Sequence, residues 1–308
     1  MKARAVAQFR RPALNPRPPA SSPAASPLPG FALPAGMQRW LAILLLVAAP
    51  LAALAPVCTH DFLNYDDFDQ VAANPAYRPV TGHSLIEWWT APRMDLYMPV
   101  TYTVWGIIAL DAYHPAYNTT PAHLDPVPFH VANLLVHVMC GLVVFVLLEM
   151  LMRAGFTPPL GTPGGGRGGG ERAARTNAAA RGEASAPTLT PPRSTRGGEK
   201  SGPGFQAFGC IWPAVIGALL FELHPMQVEA VAWMSEFNTV LSALLALCAI
   251  WQYLRAVRTR GGSRGGPAWR WHYAAAMLLY LLATLAKPGA VVAPLIAGVL
   301  DVMILRRS

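Results

Sequence analysis

Charged residues are scarce in this sequence. Asp, Glu, Lys and Arg make up 13% of its 308 residues, about half the share that is usual in a soluble domain. Hydrophobic residues make up 53%, and the mean hydropathy is +0.33. This balance excludes an ordinary soluble enzyme and predicts an all-α, polytopic membrane protein.

Acidic residues are scarcer than basic residues: there are 16 Asp and Glu against 24 Lys and Arg, so the formal net charge is +8. A nucleic-acid-binding protein gathers such charge on a folded face, among aromatic or helical elements that read the bases. Here the basic residues lie in Gly- and Pro-rich segments between apolar runs. The pattern is typical of loop charges that set membrane topology, and we expect no nucleic-acid partner.

Cysteine is also rare, and the four cysteines lie in or beside apolar stretches without CxxC spacing. They are Cys58, Cys140, Cys210 and Cys248. We therefore expect buried thiols rather than a disulfide or a metal site.

An apolar run follows the basic N-terminal segment. Trp40 to Val57 contains 18 residues without a charge, and as a helix it is about 27 Å long, close to the thickness of a bilayer core. The preceding tail is too long for an ordinary signal peptide, so the run predicts an uncleaved first transmembrane helix. Five further apolar runs bring the prediction to six spans: 129–152, 205–223, 237–254, 273–286 and 288–305.

Charge distribution decides the topology. With six spans and a cytoplasmic N-terminus, 21 of the 24 Lys and Arg residues lie inside, and the outer loop 58–128 has eight acidic residues against Arg78 and Arg93. Counting Met98 to Leu110 as a seventh span would move two basic loops outside, against the positive-inside rule. Its thirteen residues instead predict an interfacial or re-entrant helix in a large outer loop with amphipathic helices.

The sequence divides into four parts. Residues 1–36 are rich in Pro and Ala and predict a disordered tail, and residues 37–152 hold the first two spans. Residues 153–204 form a Gly- and Arg-rich low-complexity segment that predicts a flexible cytoplasmic insertion. Residues 205–308 contain the other four spans.

Three carboxylates stand just beyond the first span, in the stretch NYDDFDQV. Asp66 and Asp67 begin the outer loop, where partial desolvation makes a carboxylate a better proton acceptor. The alternative is a solvated turn after a span. Spacing alone leaves both interpretations open.

Polar residues also interrupt two apolar regions. His130, Asn133 and His137 form one stripe on a helix, which predicts helix packing through hydrogen bonds in preference to ligand binding. His224 and Glu229 fall in a short outer hairpin, where they form either a cation site or a hydrogen-bonded turn. Lys287, the one basic residue between the last two apolar runs, either reaches the lipid headgroups or pairs with an anionic phosphate.

The order of these segments is more specific than any one of them. FLNYDDFDQVAANP, MPVTY, FHVANLLVH, LFELHPMQVEAVAWMSE and LAKPGAVVAPLIAGVLD follow one another along residues 37–305. This order resembles the N-terminal membrane half of TMTC-type proteins, the transmembrane and tetratricopeptide-repeat O-mannosyltransferases of the GT-C glycosyltransferase superfamily. The resemblance implies a GT-C-like bundle of helices.

The resemblance also implies a function. The family's acidic pair matches Asp66 and Asp67, so Asp66 is expected to be the general base and Asp67 to orient it or the acceptor. A sugar, mannose in this family, would pass from a polyprenyl-phosphate donor to a protein or lipid acceptor on the outer face. The residues expected to bind the donor phosphate are Lys287, His224, Arg78 and Arg93, and those expected to support the site are Glu229, His130, Asn133 and His137.

Further expectations follow from the same resemblance. The protein should lie in a bacterial inner membrane among lipids, with a partner chain supplying the family's remaining spans and repeats. A divalent cation, Mg²⁺ or Mn²⁺, stays open as a cofactor. The alternative function is a non-catalytic membrane protein that keeps the fold to bind lipid phosphate or a partner.

Overall fold

The computed structural model describes residues 33–63, 65–115, 124–155, 203–261 and 267–303. Most of the predicted tail and most of the predicted insertion at 153–204 therefore lie outside the described residues. The described part of the chain is mostly helical and contains no β-strand, only two isolated bridges. The helix that carries the first span begins at Ala35, inside the segment predicted to be tail.

Nine α-helices lie within the described residues. They are α1 (Ala35–Leu54), α2 (Gly82–Thr90), α3 (Pro99–Ala112), α4 (Val127–Gly155), α5 (Pro203–Glu222), α6 (Met226–Ala232), α7 (Phe237–Gly261), α8 (Ala268–Ala286) and α9 (Ala293–Met303). Short 3-10 turns extend α1 to Thr59, lead into α7 over Met234–Glu236, and lead into α9 over Pro288–Val292.

Three of these helical segments are long enough and apolar enough to cross a membrane: Ala35–Thr59, Val127–Arg153 and Met234–Arg260. A fourth span is formed if Ile211–Glu222 and Met226–Ala232, which meet at a bend of 62°, count as one. The chain is therefore an integral membrane protein with three or four such helices in its described part. The apolar runs 273–286 and 288–305 fall in α8 and in the region of α9, which do not meet the same criterion, so six spans stay a prediction.

Helix α4 lies at the centre of the bundle and packs against α1, α5 and α7. The residues of α4 are mostly apolar, but a polar stripe of His130, Asn133 and His137 is buried on one face, and Leu135 and Met139 are exposed on another. Small residues line the contact between α1 and α5, and they allow the helix backbones to approach closely. They include Ala42, Ala214 and Ala218, each fully buried.

The segment between α1 and α4, predicted to be the first outer loop, is packed rather than loosely solvated. Its helix α3 is held to the end of α8 by the Thr101 hydroxyl, which donates a hydrogen bond to the Ala286 carbonyl at 2.9 Å. On α3 the side chain of Trp105 is fully buried, while those of Ile107 and Leu110 are exposed. Helix α3 is thus apolar on both faces and departs from the expected amphipathic pattern, although at 14 residues it is short for a span, as predicted.

Candidate functional site

The acidic pair lies where the segment after α1 meets the turn before α7. Asp67 is fully buried, and its Oδ1 accepts a hydrogen bond from the Ser235 backbone N–H at 2.7 Å. Its Oδ2 accepts another from the Leu63 N–H at 3.2 Å. Two backbone N–H groups therefore fix the position of the Asp67 carboxylate.

Asp66 has a different environment, although it is the next residue along the chain. It is half-buried, and none of the described residues is a hydrogen-bond or ion-pair partner of its carboxylate. Neighbouring residues of a helical turn point about 100° apart, so one carboxylate can enter the core while the other stays accessible. Asp69 is exposed. Of the three acids, Asp66 is thus the accessible partner of a fixed, buried neighbour.

His130, near the start of α4, is buried, with Asp67 and Asp61 within electrostatic range of its ring. Asn133, one turn later, is also fully buried. Its amide nitrogen lies within hydrogen-bond distance of three backbone carbonyls where α6 ends: those of Ala230, Val231 and Trp233 at 3.0, 2.9 and 3.3 Å. The amide therefore fixes the end of α6 to α4.

His137 continues the stripe. Its Nε2 lies 3.0 Å from the Glu222 carbonyl oxygen, and its ring stacks on Phe221 with the centroids 5.8 Å apart. The stripe on α4 thus contacts the end of α6 through Asn133 and, one turn later, the end of α5 through His137. For Asn133 and His137 these contacts favour the packing interpretation over ligand binding, because the Asn133 amide nitrogen and the His137 Nε2 face backbone carbonyls. The ring nitrogens of His130 have no hydrogen-bond partner among the described residues.

Glu222 is not among the residues predicted for the site. Its side chain is fully buried at the end of α5, and neither carboxyl oxygen has a hydrogen-bond partner among the described residues. The carboxyl group rests against Gly141 of α4, where a Cβ atom would overlap it. Two features of the sequence could have indicated this contact. Gly141 lies on the same face of α4 as His130 and His137, and Glu222 is a carboxylate at the end of an apolar run.

The predicted pairing of His224 with Glu229 takes another form. His224 is exposed, and its Nδ1 accepts a hydrogen bond from the Met226 N–H at 3.2 Å, which stabilises the start of α6. Glu229 instead borders a cavity of about 230 Å³ whose lining does not include His224. The cavity is lined by His60, Asp61, Leu63, Glu229, Ala232 and Trp233.

His60 and Asp61 were missed as candidates, because only the fold brings them to α6. Within the described residues, no group of three or more His, Cys, Asp or Glu side chains is placed to hold a metal ion. The carboxylates of Asp61 and Glu229 beside the indole of Trp233 give this cavity polar acceptors and an apolar wall.

Lys287 lies at the same end of the bundle, immediately after α8. Its Nζ donates to Glu236 Oε2 at 3.2 Å and to Thr239 Oγ1 at 2.5 Å. Glu236 belongs to the same turn as Ser235, which binds Asp67. A single three-residue turn therefore joins Asp67 to the lysine.

The two arginines of the first loop lie around Tyr77. Arg78 donates from Nη2 to the Ala73 carbonyl at 2.8 Å, and Arg93 lies near the phenols of Tyr77 and Tyr102. Burial raises the pKa of Tyr77 well above its ordinary value, and the positive charge of Arg93 offsets part of this rise. Met94 and Asp95, which follow Arg93, have positive φ angles of 47° and 60°, as in a tight two-residue turn.

No known protein family matches this chain, and comparison with curated proteins and with solved structures gives no match either. The case for a function therefore rests on the geometry: the accessible carboxylate of Asp66, the fixed carboxylate of Asp67 beside it, and a lysine joined to Asp67 by one turn.

Proposed function

We propose that the protein is a membrane glycosyltransferase module. It transfers a sugar, which we propose to be mannose, from a polyprenyl-phosphate donor to a hydroxyl group of a protein or lipid acceptor. The observation that carries the proposal is the turn Met234–Glu236. Through Ser235 it holds Asp67, and through Glu236 it holds Lys287. A base and a cation at one end of an apolar bundle suit a reaction on a lipid phosphate.

In this mechanism Asp66 accepts the proton of the acceptor hydroxyl. The hydroxyl oxygen forms a bond with the anomeric carbon of the sugar, and the bond from that carbon to the phosphate oxygen breaks. The electron pair of that bond leaves with the polyprenyl phosphate, whose growing negative charge Lys287 neutralises. Asp67, fixed by two backbone N–H groups, positions Asp66 and does not take the proton.

Lys287 must exchange Glu236 for the donor phosphate in this scheme. The exposed fractions of the two side chains are 36% and 33%. An ion pair so open to solvent contributes little to stability. The donor phosphate is a phosphodiester with one negative charge and gains a second charge as the sugar leaves. It can therefore replace Glu236 at the ammonium group, and the ion pair keeps Lys287 in place while the site is empty.

The proposal includes the finer topology. Six spans with a cytoplasmic N-terminus place the acidic pair and Lys287 on the outer face of a bacterial inner membrane and 21 of the 24 Lys and Arg residues inside. We also propose a GT-C-like arrangement of the helices, with a partner chain that carries further spans and tetratricopeptide repeats and presents the protein acceptor.

The ion pair between Lys287 and Glu236 favours a second function, because Glu236 neutralises the cation that is best placed for catalysis. In that case the chain binds lipid phosphate or a partner without transferring a sugar. Both functions use the same end of the bundle, and turnover separates them.

The test uses the purified full-length chain in vesicles, with radiolabelled polyprenyl-phosphate mannose and a Ser/Thr peptide as acceptor. Labelled peptide and free polyprenyl phosphate are expected, and unlabelled polyprenyl phosphate should inhibit. Retention of the intact donor without transfer would support the second function, and neither binding nor transfer would contradict both.

A further inference from the structure

Three arginines meet at the end of the bundle opposite the acidic pair. Arg39, in the first turns of α1, donates from Nη2 to Glu149 Oε2 at 3.1 Å. Arg153, at the end of α4, contacts the other carboxyl oxygen of Glu149 at 2.5 Å. The Glu149 side chain is only 6% exposed, whereas the side chains of Arg39 and Arg153 are 48% and 46% exposed.

Arg258, in the last turns of α7, completes the group. Its Nη2 donates to the Met150 carbonyl at 2.5 Å, and its guanidinium lies within electrostatic range of Arg153. We call Arg39, Arg153 and Arg258 the arginine cluster. The buried Glu149 carboxylate thus fixes two of the three arginines and cancels one positive charge, and Arg258 adds a third positive charge beside Arg153.

The surroundings of the arginine cluster are typical of a membrane surface. Trp40, next to Arg39, is 74% exposed, and Trp271 at the start of α8 is 78% exposed. Tryptophan is enriched at the headgroup level of bilayers. The outward residues of α1 just beyond Arg39 are apolar and exposed: Leu41, Leu44 and Leu45.

We propose that the arginine cluster binds the phosphate of an anionic phospholipid headgroup. Guanidinium groups match phosphate oxygens with paired, charge-assisted hydrogen bonds. Basic pockets between transmembrane helices at the membrane surface commonly hold anionic headgroups. A free phosphate offers the same oxygens, but a lipid also places its acyl chains along Leu41, Leu44 and Leu45, so the lipid is the occupant that uses the whole surface.

This inference is independent of sugar transfer, because no residue of the arginine cluster contacts the acidic pair or Lys287 in the described structure. It also goes beyond the general excess of positive charge on one side of a membrane protein. A general excess predicts equal effects from every arginine at this end, whereas a built site predicts large effects only from the arginine cluster.

The chain offers a matched control. Arg260 also lies in the last turn of α7, but its guanidinium stacks over the Trp269 ring, 5.0 Å from the centroid, away from Glu149. Arg260→Gln and Arg258→Gln remove the same charge from the same helix end. Arg258→Gln leaves both partners of Glu149 in place, so its effect is not a consequence of an unpaired buried carboxylate.

The experiment measures lipid binding by the full-length chain in neutral detergent. Phosphatidylglycerol, phosphatidylcholine and inorganic phosphate are titrated separately, and the rise in unfolding temperature gives each affinity. The wild type should bind phosphatidylglycerol best, Arg258→Gln and Arg39→Gln should each weaken it about tenfold, and Arg260→Gln less than about twofold, since about one charge-assisted contact is lost only in the first two.

Two results would overturn the proposal. Equal losses from Arg258→Gln and Arg260→Gln would show that only the general charge acts. Inorganic phosphate that binds as tightly as phosphatidylglycerol would show that the arginine cluster takes the free ion and not a lipid. If Arg39→Gln fails to fold, the comparison of Arg258→Gln with Arg260→Gln decides alone.

Discussion

The Asp67 carboxylate accepts a hydrogen bond from the Ser235 backbone N–H at 2.7 Å, across 168 residues of sequence. This contact joins the segment after the first span to the turn before α7. Both groups are buried, and Leu63 donates to the other carboxylate oxygen. The candidate site is therefore built into the packing of the bundle.

Asp67→Ala should destabilise the fold. The substitution leaves the N–H groups of Ser235 and Leu63 without their acceptor, which should lower the free energy of unfolding by about 1 to 3 kcal/mol. Denaturant unfolding in detergent measures the change. Asp69→Ala, at an exposed position two residues away, serves as the control and should stay within about 0.5 kcal/mol of the wild type.

Asn133→Leu should loosen the end of α6, because its amide nitrogen lies close to three backbone carbonyls there. The loss in the free energy of unfolding should be about 1 to 3 kcal/mol. Hydrogen exchange should rise locally at residues 226–236. Leu135→Ala, on the exposed side of the same helix, should leave that exchange unchanged, and a rise there too would contradict a specific role for Asn133.

Gly141→Ala should place a methyl group in the space of the Glu222 carboxyl group. The overlap should lower the free energy of unfolding by about 1 to 3 kcal/mol. Gly298→Ala on α9 is the control, because a Cβ there meets open space. Removing the carboxyl group in the double mutant Gly141→Ala/Glu222→Ala should recover part of the lost stability. A double mutant that is no more stable than Gly141→Ala would contradict the contact.

The local elements of this fold follow from the sequence. Four of the apolar runs predicted as spans coincide with α1, α4, α5 and α7, and the run predicted from Phe237 begins at the first residue of α7. A long run of apolar residues without a charge is what defines a membrane-spanning helix, and hydropathy detects such a run directly from the sequence. The runs that form α8 and the region of α9 are shorter or less apolar, so the same signal was weaker there.

The site could be predicted only in part. Three acids after a span were visible, but the burial of Asp67 depends on Ser235, which no local pattern connects to it. The spacing of His224 and Glu229 suggested one site, whereas the bend of 62° after α5 leaves His224 at the start of α6 and Glu229 beside His60 and Asp61. Long-range contacts decide such pairings, and sequence periodicity does not contain them.

Lys287→Gln should separate binding from stability. Because the ion pair with Glu236 is partly exposed, its loss should change the free energy of unfolding by no more than about 1 kcal/mol. The affinity for polyprenyl phosphate should fall about tenfold, the loss of about one charge-assisted hydrogen bond. Equilibrium binding of labelled polyprenyl phosphate measures it. Glu236→Gln, which releases the lysine, should raise the affinity, and equal affinities in all three proteins would exclude Lys287 from the phosphate site.

The most direct test of the proposed function is sugar transfer by Asp66→Asn, compared with Asp69→Asn in the same short stretch. Both variants should keep the unfolding temperature of the wild type, since neither carboxylate has a hydrogen-bond partner among the described residues. Loss of the general base should slow transfer from polyprenyl-phosphate mannose by at least about 10²-fold in Asp66→Asn and leave Asp69→Asn unchanged. Full transfer by a correctly folded Asp66→Asn would contradict the account.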